Sequence, residues 1–251
     1  MDPEASATPV APSISVVTVC FNAAQTLEQT ILSVLAQEGV NLEYIVIDGG
    51  SSDDSVAIIQ RHAAHLAFWC SERDRGIYNA MNKGLLHARG EWVVFLNADD
   101  YFHDPTALRD LLRVAGDGVD IVAGGTLMRR KEIDAPFRPS RRFGLCLQIP
   151  FMHTAALVRR DAMLRCGGFD ERYRIAADCD LLLRVMGGRP SPWQRVERPV
   201  SVMRDGGASD RNYLRGRFEY MQLYWRHTRN APGALLGYIV SLLAYLKARV
   251  A

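Results

Sequence analysis

Asp99 and Asp100 follow the uninterrupted apolar run WVVFL of residues 92–96, separated from it by Asn97-Ala98. Carboxylates at the end of such a run suit a hard divalent cation, which takes oxygen ligands and commonly uses one or two carboxylates plus phosphate oxygens. Either could instead cap a following helix. Asp48 ends a second apolar run and precedes Gly49-Gly50-Ser51-Ser52-Asp53-Asp54. The glycines permit a sharp turn and close approach to a ligand, and Ser52 or Asp53 can cap the next helix. Asp48 is an acceptor suited to a nucleobase imide or a ribose hydroxyl. Further along, Asp178 opens a helical apolar pattern (Leu181, Leu182, Val185) and is a candidate general base, with helix capping as its structural alternative. Asp180 is a second candidate; its alternative is an ion pair with Arg184 at i,i+4. His153 could face a metal or an acceptor, although a lone histidine is more often an ordinary surface or core residue.

The elements that must position these groups alternate. Strands are predicted over residues 14–20, 42–47, 66–70, 92–96 and 119–123. Helices are predicted over 26–37, 53–65 and 76–88, and another opens at Asp104-Pro105. Strands separated by helices imply βαβ units and a mostly parallel α/β sheet. Ligands of such sheets bind outside the carboxyl ends of the strands. Polar residues gather at four of those ends: Phe21-Asn22, Asp48, Glu72-Arg73-Asp74-Arg75 and Asn97-Ala98-Asp99-Asp100. No GxGxxG follows the first strand and no GxxxxGK[ST] occurs, which removes the main support for dinucleotide and P-loop readings. After about residue 125 the rhythm changes. Strands at 154–158 and 199–204 and a helix at 178–186 predict a mixed subregion packed on the first.

The chain of 251 residues is 48% hydrophobic and 23% charged, enough to bury a core and exclude wholesale disorder. A net charge of +2 argues against a dedicated nucleic-acid binder. Five cysteines, an odd number with no CxxC spacing, argue for free thiols in a reducing compartment. Residues 1–13 read as a loose tail without the basic start and apolar run of a signal peptide. Near the other end, residues 231–246 carry no charge and are flanked by Arg226, Arg229, Lys247 and Arg249. That run is short of the roughly 20 residues that span a bilayer, and it reads either as an interfacial anchor or as a packed helix. A basic stretch (Arg129, Arg130, Lys131, Arg138, Arg141, Arg142) suits an anionic ligand or a solvated loop equally.

In chain order, ISVVTVCFN, IVIDGGSSDDS, SERDRGIYNAMNKG, GEWVVFLNADD and CGGFDERYRIAADCDLLLR, with Asp205-Gly206-Gly207-Ala208-Ser209 after them, resemble glycosyltransferase family 2. The resemblance is to the bacterial branch that builds exopolysaccharide, O-antigen and colanic-acid-type glycans. It covers roughly residues 13–210 and is specific because several motifs occur in the right order. It implies a GT-A fold, with a nucleotide-sugar half over 14–125, an acceptor and catalytic-base half over 126–210, and a C-terminal helical segment over 211–251. It implies inverting transfer of a sugar from a nucleotide-diphosphate donor, usually a UDP-sugar, to a glycan or lipid-linked acceptor. Residue by residue, Thr18, Phe21 and Asn22 would line the nucleotide pocket, Asp48 would contact the base, and Asp74 and Arg75 would lie beside base or diphosphate. Asn97-Ala98-Asp99 stands in the place of the DXD motif. Asn97 replaces its first acid, which leaves Asp99 as the implied ligand of Mn²⁺ or Mg²⁺, with Asp100 beside it. Asp178 stands in the place of the catalytic base, with Ala177 replacing the usual Glu, and Asn79 stands where the branch often has Asp. The implied location is cytoplasmic, at the inner face of the membrane if residues 231–249 make peripheral contact, and an oligomer is compatible. Two other classes stay open on the residues alone. A nucleotidyltransferase would show a glycine-rich basic loop where Phe21-Asn22-Ala23-Ala24 stands. A non-catalytic nucleotide-sugar-binding subunit of a membrane assembly is kept open by Asn97 and Ala177.

Overall fold

The computed structural model describes residues 13–130, 133–137, 151–187 and 193–250. Of the features above, residues 1–12 of the tail, Lys131, Arg138, Arg141, Arg142 and Cys146 lie outside the described residues.

The first half builds as its periodicity predicts. Strand β1 (Ile14–Cys20), helix α1 (Leu27–Leu35), β2 (Leu42–Asp48), α2 (Ser55–His62), β3 (Phe68–Ser71), α3 (Ile77–His87) and β4 (Trp92–Phe95) alternate along the chain. β1 pairs in parallel with both β2 and β4, and β2 with β3. All seven residues of β1 are buried, because the sheet is covered on both faces. Val17 and Val19 face a cluster with Tyr78, Met81 and Leu85 of α3. Ile14, Val16 and Cys20 face Leu27, Ile31 and Val34 of α1. This is the two-residue alternation of a strand serving two helical layers.

The second half joins the same sheet and changes its direction. It comprises β5 (Tyr101–Phe102), α4 (Ala107–Arg113), β6 (Ile121–Arg130), β7 (Ile133–Phe137), β8 (Ala156–Arg159), α5 (Arg160–Arg165), α6 (Ala177–Val185) and β9 (Gln194–Arg204). The sheet order is β3-β2-β1-β4-β8-β6-β9-β5, with β7 on β6. β8 runs antiparallel to both β4 and β6, so the parallel half ends at β4 and the mixed half begins there.

Several boundaries differ from those predicted. The strand expected at 119–123 runs on as β6 to Arg130, because β9 pairs past Gly124-Gly125 with a register shift that the apolar pattern does not show. A Cβ on Gly124 would meet Val200 Cγ2 at 2.3 Å, and one on Gly125 would crowd the backbone of Arg198 and Pro199. Thr154 and Ala155, expected in a strand, form a 3₁₀ turn (His153–Ala155) that aims His153 toward the strand ends. The strand expected at 199–204 begins at Gln194.

The chain closes with α7 (Ala208–Arg211), α8 (Tyr213–Thr228) and α9 (Ala231–Val250). Leu223 of α8 is buried in the cluster that also holds Leu181, Leu182 and Leu183 of α6, and α9 packs along α8. Among the described residues, no helix is long and apolar enough to cross a membrane.

Candidate functional site

The loops after β1 and β2 are sewn together. Asn22, in a left-handed conformation (φ 50°), donates its N–H to Ser51 Oγ at 2.8 Å, and its Oδ1 accepts from Ser52 N–H at 2.9 Å. Ala23 and Ala24 donate to Ser55 Oγ and Asp53 Oδ2. Beside this seam Phe21 is 63% exposed, an unusual state for a large aromatic side chain and one that leaves its ring face open for stacking.

Asp48 sits beneath the seam and is fully buried. Its oxygens accept from Gly50 and Ser51 N–H (3.0 and 2.9 Å), from Ser51 Oγ and from Ser71 Oγ (2.7 Å). Burial pushes its carboxyl up, but the hydrogen bonds from Ser51 and Ser71 outweigh that and hold it below the usual range. Asp48 therefore shapes the glycine turn rather than projecting from it. Thr18 is also withdrawn. It lies on the α1 side of β1, fully buried, and accepts from Tyr44 OH at 3.0 Å. The structure does not bring these two side chains to the rim.

Asp74 takes the space beside the turn. A Cβ on Gly49 would lie 2.3 Å from Asp74 Oδ2, while Asp74 Oδ1 accepts from Gly76 N–H at 2.7 Å. Gly49 thus admits the Asp74 carboxylate to the rim between β2 and β3. Gly49→Ala is expected to expel that carboxylate, leave the fold intact and weaken nucleotide binding about tenfold, the value of one charge-assisted hydrogen bond. Calorimetric titration checks this, and an unchanged affinity would remove Asp74 from the donor site. Arg75 pairs with Glu171 at 2.9 Å and is largely exposed. Asn79 and Asn82 donate to the other oxygen of Glu171 at 3.0 and 3.3 Å, so an amide at position 79 serves as donor to that carboxylate.

Beyond β4, Asn97 to Asp100 form a tight turn closed by the Asp100 N–H on the Asn97 carbonyl. Asp100 is 1% exposed, and burial, with Asp99 beside it, pushes its carboxyl up to about 8. Asn97 Oδ1 is buried and has no hydrogen-bond partner. Position 207 of the loop after β9 lies against Asp99, where a Cβ on Gly207 would be 3.5 Å from Asp99 Oδ2. An orphaned amide oxygen and two mutually repelling carboxylates on one turn fit a divalent cation. Among the described residues, no three His, Cys, Asp or Glu side chains are arranged to hold a metal by themselves. Such an ion would need oxygens from its ligand as well, which is how Mg²⁺ and Mn²⁺ are commonly held beside phosphates.

Asp178 lies in the first turn of α6, facing this turn. His153 Nδ1 is 2.9 Å from Asp178 Oδ2, and Tyr78 OH is 3.1 Å from Oδ1. His153 Nε2 lies 3.4 Å from Asn97 Nδ2, so one imidazole spans from Asp178 to the Asn97–Asp100 turn. Burial would raise Asp178, but His153 more than offsets it and holds the carboxyl below its ordinary value. Burial would lower His153, and Asp178, Asp100 and Asp99 together raise it. Asp180, two residues on, points to the opposite side of the helix, as a 100° step per residue requires. It is fully buried and holds Arg184 at 2.7 Å and His227 at 3.3 Å. The ion-pair alternative is the one its geometry displays.

The segment ahead of α6 is held by a residue that sequence reasoning missed. Glu219 of α8, 4% exposed, accepts from the N–H groups of Arg174, Ile175 and Ala176 at 2.8–3.1 Å. Ala176 cannot cap the helix with its own side chain, so Glu219 supplies acceptors and negative charge from another helix. The available signal was Ala176-Ala177 itself, a helix start without Ser, Thr, Asp or Asn.

A mixed sheet flanked by helices, with a polar rim over its parallel strand ends, is a GT-A-like α/β fold. The family model for glycosyl transferase family 2 matches residues 15–173, and the chain belongs to that family. It is 36% identical over 181 residues to an uncharacterized glycosyltransferase of Mycobacterium tuberculosis, covering 70% of this chain and 69% of that one. It is 30% identical over 207 residues to the succinoglycan biosynthesis protein ExoO of Rhizobium meliloti, covering 71% and 57%. Among solved structures, a mannosyltransferase from Pyrobaculum calidifontis in complex with GDP-Man and Mn²⁺ superposes with a TM-score of 0.69. That match has 21% identity and covers 94% of this chain and 76% of the other, a likeness of fold. The chain is therefore a glycosyltransferase, and the nucleotidyltransferase and non-catalytic readings fall away.

Proposed function

We propose that this glycosyltransferase moves a sugar from a UDP-sugar to a glycan or lipid-linked acceptor, with inversion, in bacterial surface polysaccharide synthesis at the cytoplasmic face of the membrane. The observation that carries the reading is the span of His153 from Asp178 to the Asn97–Asp100 turn. It sets a carboxylate opposite the turn where a donor diphosphate would sit. The role in glycan assembly is supported by the succinoglycan relative, and UDP by the resemblance in the motifs.

Phe21 and Asp74 take the nucleoside, by stacking and by hydrogen bonding. Asp99, with Asp100 beside it, would hold a divalent cation, which supplies neutralisation of the charge that develops on the leaving diphosphate. The Mn²⁺ of the mannosyltransferase neighbour supports this assignment. Asp178 takes the proton of the acceptor hydroxyl as that oxygen attacks the anomeric carbon from the face opposite the diphosphate. The depressed Asp178 carboxyl keeps this base ionised at neutral pH.

Titration with UDP, GDP and dTDP, each with and without Mn²⁺, tests the donor and the metal together. UDP is expected to bind tightest, and only with metal; tighter binding of GDP would overturn the uracil assignment. In the same experiment Asp99→Ala is expected to lower UDP affinity tenfold or more, roughly, with Mn²⁺ present and to change little without it. Affinity that ignores both metal and substitution would exclude Asp99 as the ligand.

A further inference from the structure

Among the described residues, eight of the exposed large hydrophobic side chains lie on α8 and α9. On α9, Leu235, Leu236, Ile239, Val240 and Leu243 are 43–60% exposed. Their spacing (i, i+1, i+4, i+5, i+8) puts them on one face. The opposite face is spent on α8, with Ala234 and Gly237 buried. On α8, Leu214, Phe218 and Trp225 form a second exposed stripe, and Phe218 meets Tyr238 of α9 edge to face at 6.2 Å. The two stripes therefore adjoin across the helix seam.

Charge decides what covers this face. Residues 211–251 carry seven basic residues and a single acid, Glu219, a net of +6 against +2 for the whole chain. The remaining 210 residues therefore carry −4. Arg215 pairs with the buried Glu219, and Arg226 with Asp170 and Asp180, so the rim charge rests on the other basic residues. Arg211 and Arg229 are exposed at either end of α8. A second copy docked face to face would bring each of these surfaces against its own like charge. An apolar face rimmed by arginine matches an anionic lipid surface, with the side chains at acyl depth and the guanidinium groups among headgroup phosphates.

We infer that the α8–α9 hairpin is the surface by which this protein docks on an anionic bilayer, lying in the interface rather than crossing it. The inward side of α8 carries Glu219, which holds residues 174–176 ahead of Asp178. Docking therefore fixes the height of the proposed base above the lipid, where a lipid-linked acceptor would present its hydroxyl. That consequence rests on the proposed transfer reaction, whereas the docking itself does not.

The test is co-sedimentation of the full chain with vesicles of mixed phosphatidylglycerol and phosphatidylcholine against vesicles of phosphatidylcholine alone. Two surface variants accompany it, Leu236→Glu/Val240→Glu and Arg211→Glu/Arg229→Glu, with circular dichroism to confirm their fold. The wild type is expected to bind the anionic vesicles, less so at high salt, and to bind the neutral ones weakly. The apolar variant is expected to lose roughly a hundredfold in partitioning and the charge variant roughly tenfold or more. Equal binding to both vesicle types, or wild-type binding by both variants, would overturn the inference. So would a dimer in solution that Leu236→Glu/Val240→Glu dissolves, or binding only to an acidic protein. UDP titration of the same samples is a separate readout: its failure would strike the transfer reading and leave the docking result standing.

Discussion

Asp178→Asn keeps UDP affinity at the wild-type value and lowers turnover by about 10²–10⁴-fold, the usual worth of a positioned general base. Asparagine has nearly the same shape and offers His153 an amide oxygen in place of Oδ2, so the 2.9 Å contact and the packing of α6 have a substitute. It cannot accept a proton from a hydroxyl at neutral pH. The substitution also removes the charge that helps raise His153, so the imidazole should lose its proton at a lower pH than in the wild type. Turnover measured beside calorimetric titration separates the outcomes. Wild-type turnover would remove Asp178 from the chemistry. Loss of donor binding together with turnover would mean that the residue holds the site together instead. The expected result is a split, because Asp178 lies across the imidazole of His153 from the Asn97–Asp100 turn rather than on it.

How far such roles could be seen beforehand depends on how local they are. The alternating strands and helices of the first half were legible because β1, β2 and β4 are apolar runs read by both helical layers. Short motifs mark the positions of Asp178 and the Asn97–Asp100 turn, which the fold brings to either side of His153. The burial of Asp48 is not legible in the sequence, because a polar residue at a strand end is compatible with either direction. The fully buried position of Asp48 is fixed by Ser51 and Ser71, the latter on a different strand. Gly49 could be recognised as a turn residue, but not as the gap that admits Asp74 from the next strand end. The separation of Asp178 from Asp180 needed only the helical step, once the helix was known to bury one side. His153 was undecidable as a lone histidine, and its meaning comes from Asp178 and Asn97, which are distant in sequence.

Glu219 was the least legible of all, since it lies in the C-terminal segment beyond the matched motifs, and its substitution carries the second large expected effect. Glu219→Ala removes the acceptor of three N–H groups, those of Arg174, Ile175 and Ala176, the last two buried. An unsatisfied buried donor costs about 1–3 kcal/mol. Partial relaxation and water entry should leave a stability loss of about 3 kcal/mol, measured by urea denaturation. The larger consequence is positional. With its first turn uncapped, α6 no longer fixes Asp178 against His153, and a displacement near 1 Å is enough to cost about 10²-fold in turnover. Donor affinity should hold, because Phe21, Asp74 and Asp99 stand on the other half of the sheet. Glu219→Gln distinguishes a positioning role from a merely stabilising one. Its amide oxygen, in the place of Oε2, can accept from all three N–H groups as Oε2 does, but the charge is gone and its NH₂, in the place of Oε1, opposes the Arg174 N–H and Arg215 Nε. Turnover is therefore expected to recover part of the way toward the wild type at unchanged donor affinity. If both variants lose stability but keep full turnover in the folded fraction, then Glu219 braces α8 alone, and the base is aligned by His153 and Tyr78 without it.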